Sequence, residues 1–192
     1  MAISNKNREV LTPEQVKNII RYASTKKNGR QLAMMMALSF YVGLRRCQFS
    51  QLQIMDIIDT KGNIKDAIIL PPSKNKGQDF ATYYLPKNIQ LSLKEYISGW
   101  DITERDRYLF VSPKTYEPYN TRSITNAFTK LYKEFGYEGC STHLGRHYYI
   151  TEKLNKGISL ELVKQLVNHK NIQTTSQYAI PTPDVLKKIV NL

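Results

Sequence analysis

The sequence is poor in the residues that mark several protein classes. It has only 2 cysteines, Cys47 and Cys140, and neither stands at metal-ligand spacing from the other or from a histidine pair. That excludes a disulfide framework and a zinc ribbon, and it fits a reducing, cytoplasmic setting with both thiols free. Long apolar runs are missing too: the longest, around "LAMMMAL", falls far short of the ~20 residues a membrane helix needs, so no membrane association is expected. The opening "MAISNKNREV" lacks the apolar stretch of a secretory signal. Acidic residues are scarce, with 16 Asp and Glu against 28 Lys and Arg and a formal net charge of +12. A surface this basic points to a polyanionic partner, nucleic acid first.

What is present is ordinary for a globular chain. With 192 residues, 41% of them hydrophobic, the length allows one well-buried core and favours one domain. "LTPEQVKNII" reads as a helix start, with Thr12 as N-cap, Pro13 at the first helical position and Gln15 completing a capping box. "GRQLAMMMALSFYVG" is apolar nearly all round, which predicts a helix through the core that stops near Gly43. Between Ile54 and Leu85 the pattern changes to short apolar runs separated by "TKGN" and "PPSKNKGQ", which suits a small antiparallel sheet of two or three strands. Helical spacing returns in "LSLKEYISGW" and in "SITNAFTKLYKEFG", where Ile124, Phe128, Leu131 and Phe135 share a face and Gly136 marks the stop. Further helices follow in "STHLGRHYYITEKLNKG", capped by Ser141 or Thr142, and in "SLELVKQLVNHK", capped by Ser159. After a turn carrying "TTSQYA", a last helix, "TPDVLKKIVNL", is capped by Thr182 and carries an apolar stripe of Val185, Leu186, Ile189 and Val190. The predicted class is mainly α with a small antiparallel β-sheet.

All 3 histidines fall in two short segments: His143 and His147 in "HLGRH", and His169 in "NHKN". On a helix, His143 and Arg146 share a face, so an imidazole and a guanidinium can meet one small anion such as a phosphate. The plainer alternative is a hydrogen-bonded histidine beside a solvated arginine. His143 and His147 also stand at the spacing of zinc ligands, but Leu144 occupies the place where a zinc protease needs glutamate, and no third ligand follows. Neither metal nor other cofactor is expected.

Taken in order, "GLRR" after a buried helix, a lysine in a strand turn, "HLGR", "NHKN" and "TTSQY" resemble the tyrosine recombinase (phage integrase) family over nearly the whole chain. The resemblance implies a catalytic set of Arg45, Lys74 or alternatively Lys76, His143, Arg146, His169 and the nucleophile Tyr178, with Arg46, Lys76 and His147 as further DNA contacts. It implies site-specific cutting and rejoining of double-stranded DNA through a 3′-phosphotyrosyl link, by dimers or tetramers on DNA, in integration, excision or inversion. A type IB topoisomerase uses a similar residue set, and a non-catalytic DNA-binding module could keep the same fold. The residue types suit the chemistry: arginines stay cationic and grip phosphate oxygens in pairs, while a phenol with a free pKa near ~10 needs local positive charge to attack.

The chain departs from the family pattern at three points. Gln48 stands where an acidic residue is usual, Asn168 where glycine precedes the histidine, and Gly145 where leucine is common. Most members also carry a separate helical DNA-clamping domain, for which "MAISNKNREVL" leaves no room, so residues 1–192 are expected to form one catalytic domain, as a short natural form or a fragment. With this charge, DNA affinity is expected to fall steeply as salt rises. A filter-binding series giving a flat plot of log affinity against log salt would contradict it.

Overall fold

The computed structural model describes residues 11–75 and 79–178. Helix α1 (Pro13–Ser24) begins as its sequence dictates. The Thr12 hydroxyl accepts from the Gln15 backbone, and the Gln15 side chain returns an acceptor to the Thr12 N–H at 2.6 Å. Helix α2 (Gly29–Val42) is the central element, packed against α1, α5 and α7, and its run from Met34 to Phe40 is buried on every side. It ends at Gly43, whose φ of +76° only glycine adopts without strain. One short turn each forms α3 (Arg46–Phe49) and α4 (Ile54–Ile57).

Strands β1 (Ala67–Leu70) and β2 (Ala81–Tyr84) pair antiparallel, Ala67 opposite Tyr84 and Leu70 opposite Ala81. Alternation sends Ile68, Leu70, Ala81 and Tyr83 inward and leaves Ile69 and Tyr84 exposed. Of the two or three strands expected, the described residues form two. The segment from Ile54 curls into α4, and Ile58 and Ile64 join by a single bridge only.

Helices α5 (Lys87–Tyr96) and α6 (Thr121–Glu134) close the core from the other side. Ile124, Phe128 and Leu131 face inward, and Phe128 meets Phe49 and Tyr132 ring to ring. The chain then enters α7 (His143–Asn155), α8 (Leu160–Leu166) and α9 (Ile172–Ser176). Ser159 caps α8 as expected, its hydroxyl accepting from the Leu162 N–H. Neither candidate cap of α7 acts as one: Thr142 is already helical in its backbone and its side chain makes no capping bond. The turn carrying "TTSQY" holds the short helix α9, capped by Asn171. The expected final helix and its apolar stripe lie outside the described residues.

The contact between α2 and α7 depends on Gly145. A methyl group there would stand 2.2 Å from Ser39 Oγ, 2.8 Å from Ser39 Cβ and 3.1 Å from the Ser39 backbone carbon. The hydroxyl could rotate away, but the Cβ and backbone cannot, so the helices approach closely only because residue 145 lacks a side chain. This accounts for glycine where the family often has leucine. Gly145→Ala is therefore expected to destabilise the fold by about 1–3 kcal/mol despite alanine's better helix propensity. Urea unfolding measures it, and an unchanged or raised midpoint would refute the close contact.

Candidate active site

Five of the residues singled out in the sequence surround one pocket of about 360 Å³: Arg45, His143, Arg146, His169 and Tyr178. Asn168, Lys170, Asn171 and Thr174 complete its lining. The five side chains arrive from four parts of the chain. Arg45 precedes α3 in extended backbone, His143 and Arg146 lie one turn apart at the start of α7, His169 follows α8, and Tyr178 follows α9.

Arg146 is the deepest of them, 5% exposed, yet its guanidinium is fixed at two ends. Nη1 donates to the Gly43 carbonyl at 2.5 Å, and Nη2 donates to the Val167 carbonyl. The αL turn at Gly43 is what presents that carbonyl, and a Cβ there would strike the Tyr149 ring at 2.8 Å. Burial, then the charge of Arg45, lowers the Arg146 pKa to about 10, so it remains cationic at neutral pH. Arg45 is half-buried; Nη1 donates to the Tyr83 hydroxyl at 3.2 Å and Nη2 reaches the Asn168 carbonyl at 3.5 Å. Among the described residues neither arginine has a carboxylate within ion-pair distance. The pocket is thus positive and suited to an anion. No three His, Cys, Asp or Glu side chains gather as metal ligands among the described residues.

Asn168 explains its own departure from glycine. It sits at φ +52°, a left-handed conformation that asparagine tolerates better than most residues. Its side-chain amide then bonds the free edge of β2 twice, accepting from the Thr82 N–H at 3.2 Å and donating to the Thr82 carbonyl at 2.8 Å. The side chain imitates a neighbouring strand and ties the turn that carries His169 to the sheet.

His169 places Nδ1 at 2.9 Å from the hydroxyl of the fully buried Thr175. Tyr178 lies beside two imidazoles, its ring centroid 4.9 Å from that of His147 and 6.5 Å from that of His169. His143 stands at the exposed rim, where local crowding and the charges of Arg46, Arg146 and Arg45 push its pKa down.

The remaining described candidates, Arg46, His147 and Lys74, do not line the pocket. Arg46 is exposed and donates to Thr125 Oγ1 on α6 at 3.1 Å. His147 packs against the Tyr178 ring and lies 3.4 Å from Thr151 Oγ1. Lys74 does not line the pocket: its ammonium donates to Asp56 at 2.7 Å and to the Gln53 side-chain carbonyl at 2.6 Å, in a partly buried pair. Lys76 lies outside the described residues. Tyr83, Lys170 and Thr175 were not singled out in the sequence, and Asn168 only as a departure from the family's glycine. The signal for Tyr83 was its inward place in an alternating strand, since a buried phenol needs a partner; the others flank His169 and Tyr178 in the same short turns.

The chain's similarities agree with this geometry. Residues 9–183 match the model of the phage integrase family. A tyrosine recombinase XerA from Pyrococcus furiosus is 28% identical over 185 residues, covering 94% of this chain and 60% of the relative. A tyrosine recombinase XerD from Rickettsia conorii is 26% identical, covering 96% and 63%. Among solved structures, a XerA recombinase superposes with a TM-score of 0.75 at 20% identity, covering 100% of this chain and 66% of that one, which establishes the mainly helical fold with its small sheet. The chain thus spans about three fifths of the length of these curated relatives.

His169 supplies a pH test. Burial, then the charges of Arg146 and Arg45, lowers its pKa to about 4, against 6.5 for the free group. Between those values the unfolded chain binds more protons than the folded one, so stability must rise with pH across that window and be lost as pH falls toward 4. His169→Gln is expected to flatten this part of the stability profile. A His169 resonance titrating at its free value in NMR would contradict the assignment.

Proposed function

The chain belongs to the phage integrase family, and from that premise we propose that it breaks and rejoins double-stranded DNA at specific sites, with Tyr178 as nucleophile. The observation that carries the proposal is the convergence of Arg45, Arg146, His143, His169 and Tyr178 on one positive pocket of a size that admits a phosphodiester. In the reaction, Tyr178 Oη bonds to phosphorus and the bond from phosphorus to the 5′ oxygen breaks. The DNA is left joined through its 3′ phosphate to the tyrosine. Because one phosphoester replaces another, a free 5′ hydroxyl can reverse the step or complete an exchange without ATP.

Arg45 and Arg146 hold the non-bridging oxygens and stabilise the charge that builds in the transition state. His169, neutral at working pH, acts as a hydrogen-bond donor: when the Thr175 hydroxyl donates to Nδ1, the ring proton resides on Nε2, which is then the nitrogen that donates to the phosphate. His143 takes the phenolic proton, and a strand-turn lysine, Lys74 or Lys76, gives one to the leaving 5′ oxygen. For Lys74 to do so, it must exchange Asp56 for the phosphate. Assembly as a dimer or tetramer on DNA belongs to the same reading.

The Lys74–Asp56 pair also favours a second reading, in which the chain binds a site on DNA without cutting it. A covalent trapping assay on nicked DNA from the regions flanking the gene separates the two. Wild-type protein is expected to remain attached to a 3′ end in denaturant and Tyr178→Phe to leave none. Site-specific binding by both proteins with no adduct from either would overturn the catalytic reading.

A further inference from the structure

Arg45, unlike Arg146, has no carbonyl pair holding its guanidinium from both sides. Its backbone and side chain are instead fixed by two buried residues that carry no charge. Gln48, wholly buried one turn along, accepts from the Arg45 N–H at 2.7 Å through its side-chain carbonyl. Its amide nitrogen donates twice, to the Tyr83 hydroxyl at 2.7 Å and to the Asn75 side-chain carbonyl at 3.0 Å. The Tyr83 oxygen, also wholly buried, receives Arg45 Nη1 at 3.2 Å as well. That phenol oxygen is thus shared by the arginine and the glutamine. Tyr83 is also among the groups that favour the charged form of Arg146.

We infer that Tyr83 is a positioning residue that, with Gln48, sets the Arg45 guanidinium against the phosphate pocket and joins it through Asn75 to the strand turn bearing Lys74. Three facts lead there. The phenol is the only side-chain acceptor for Arg45 among the described residues. It comes from β2, so the register of the sheet determines where the arginine points. And Gln48 meets every hydrogen-bonding demand of its site without an acidic group: it accepts at Arg45 and donates at Tyr83 and Asn75. The usual acidic residue of this position is thereby replaced by an amide plus a phenol reaching in from another element.

The inference rests on the proposed strand-cutting reaction only for its catalytic consequence, so the test has two parts. Tyr83→Phe keeps the ring and its packing and removes the shared oxygen. In DNA-free protein, the side-chain ¹⁵Nε order parameter of Arg45 is expected to drop relative to wild type while that of Arg146 changes less. In the trapping assay, removal of one hydrogen bond to a charged group is expected to slow adduct formation roughly tenfold to a hundredfold. With a methylphosphonate at the scissile position, which carries no charge for Arg45 to hold, that difference should shrink to within a few-fold. A merely structural role for Tyr83 would slow both substrates alike. Unchanged Arg45 order, or an equal defect on both substrates, overturns the inference. If wild type forms no adduct at all, the strand-cutting reading fails, and the order measurement still decides whether Tyr83 positions Arg45.

Discussion

The buried guanidinium of Arg146 is the constraint around which the site is built. Leaving such a cation buried without partners would cost several kcal/mol, and the fold answers with two backbone carbonyls, one from the end of α2 and one from the end of α8. These hydrogen bonds position three helix ends relative to each other: α2 through Gly43, α7 through Arg146 itself, and α8 through Val167. His169 follows Val167 by one short turn, so the location of the imidazole is a consequence of how the arginine is held. The carbonyls supply hydrogen bonds but no negative charge, and with Arg45 nearby the pocket keeps an uncompensated positive field. Such a site is prepared for an anion before the anion arrives, which is the condition under which electrostatic stabilisation costs least reorganisation.

Burial and that field together set the state of its neighbours. Both His143 and His169 are held below the usual imidazole range by burial and by the arginines, so at neutral pH they sit in the pocket uncharged. Neutral imidazoles can accept or donate a proton, whereas two imidazolium ions beside two guanidinium ions would repel. The sheet is joined to this assembly at two points. Asn168 clasps the edge of β2 from the α8 side, and Tyr83 reaches from β2 to Arg45. Lys74 is left out, because Asp56 and Gln53 offer it a charge and a carbonyl in a partly buried setting.

The sequence made the local features legible and the tertiary ones less so. The capping box at Thr12, the Ser159 cap and the αL stop at Gly43 depend on residues within one turn of one another, and pattern alone locates them. The five pocket residues were readable because the spacing of their motifs repeats a family order. The strands were harder: with four residues each, alternation barely distinguishes the inner face from the outer, and the third run curled into α4 instead. The partners of Lys74 and Tyr83 could not be read at all. Lys74 meets Asp56 across 18 positions and Tyr83 meets Arg45 across 38, and no periodicity records which distant residue will supply an acceptor.

The three departures from the family pattern can be judged by whether the polar groups they introduce are satisfied. Here Asn168 tolerates the backbone conformation that glycine usually supplies and uses its amide on the sheet edge. Gly145 gives up a side chain so that α7, with Arg146 on it, can lie close against α2. Gln48 is buried, uncharged and bonded through both ends of its amide. The two amides are matched by hydrogen-bond partners from a different element, Thr82 for Asn168 and Tyr83 for Gln48, whereas Gly145 makes only a close contact with Ser39, whose hydroxyl is buried without a hydrogen-bond partner among the described residues. These contacts hold the surroundings of the pocket from three directions: Gln48 bonds the Arg45 backbone, Asn168 ties the turn before His169 to β2, and Gly145 lets the helix that carries Arg146 lie against α2.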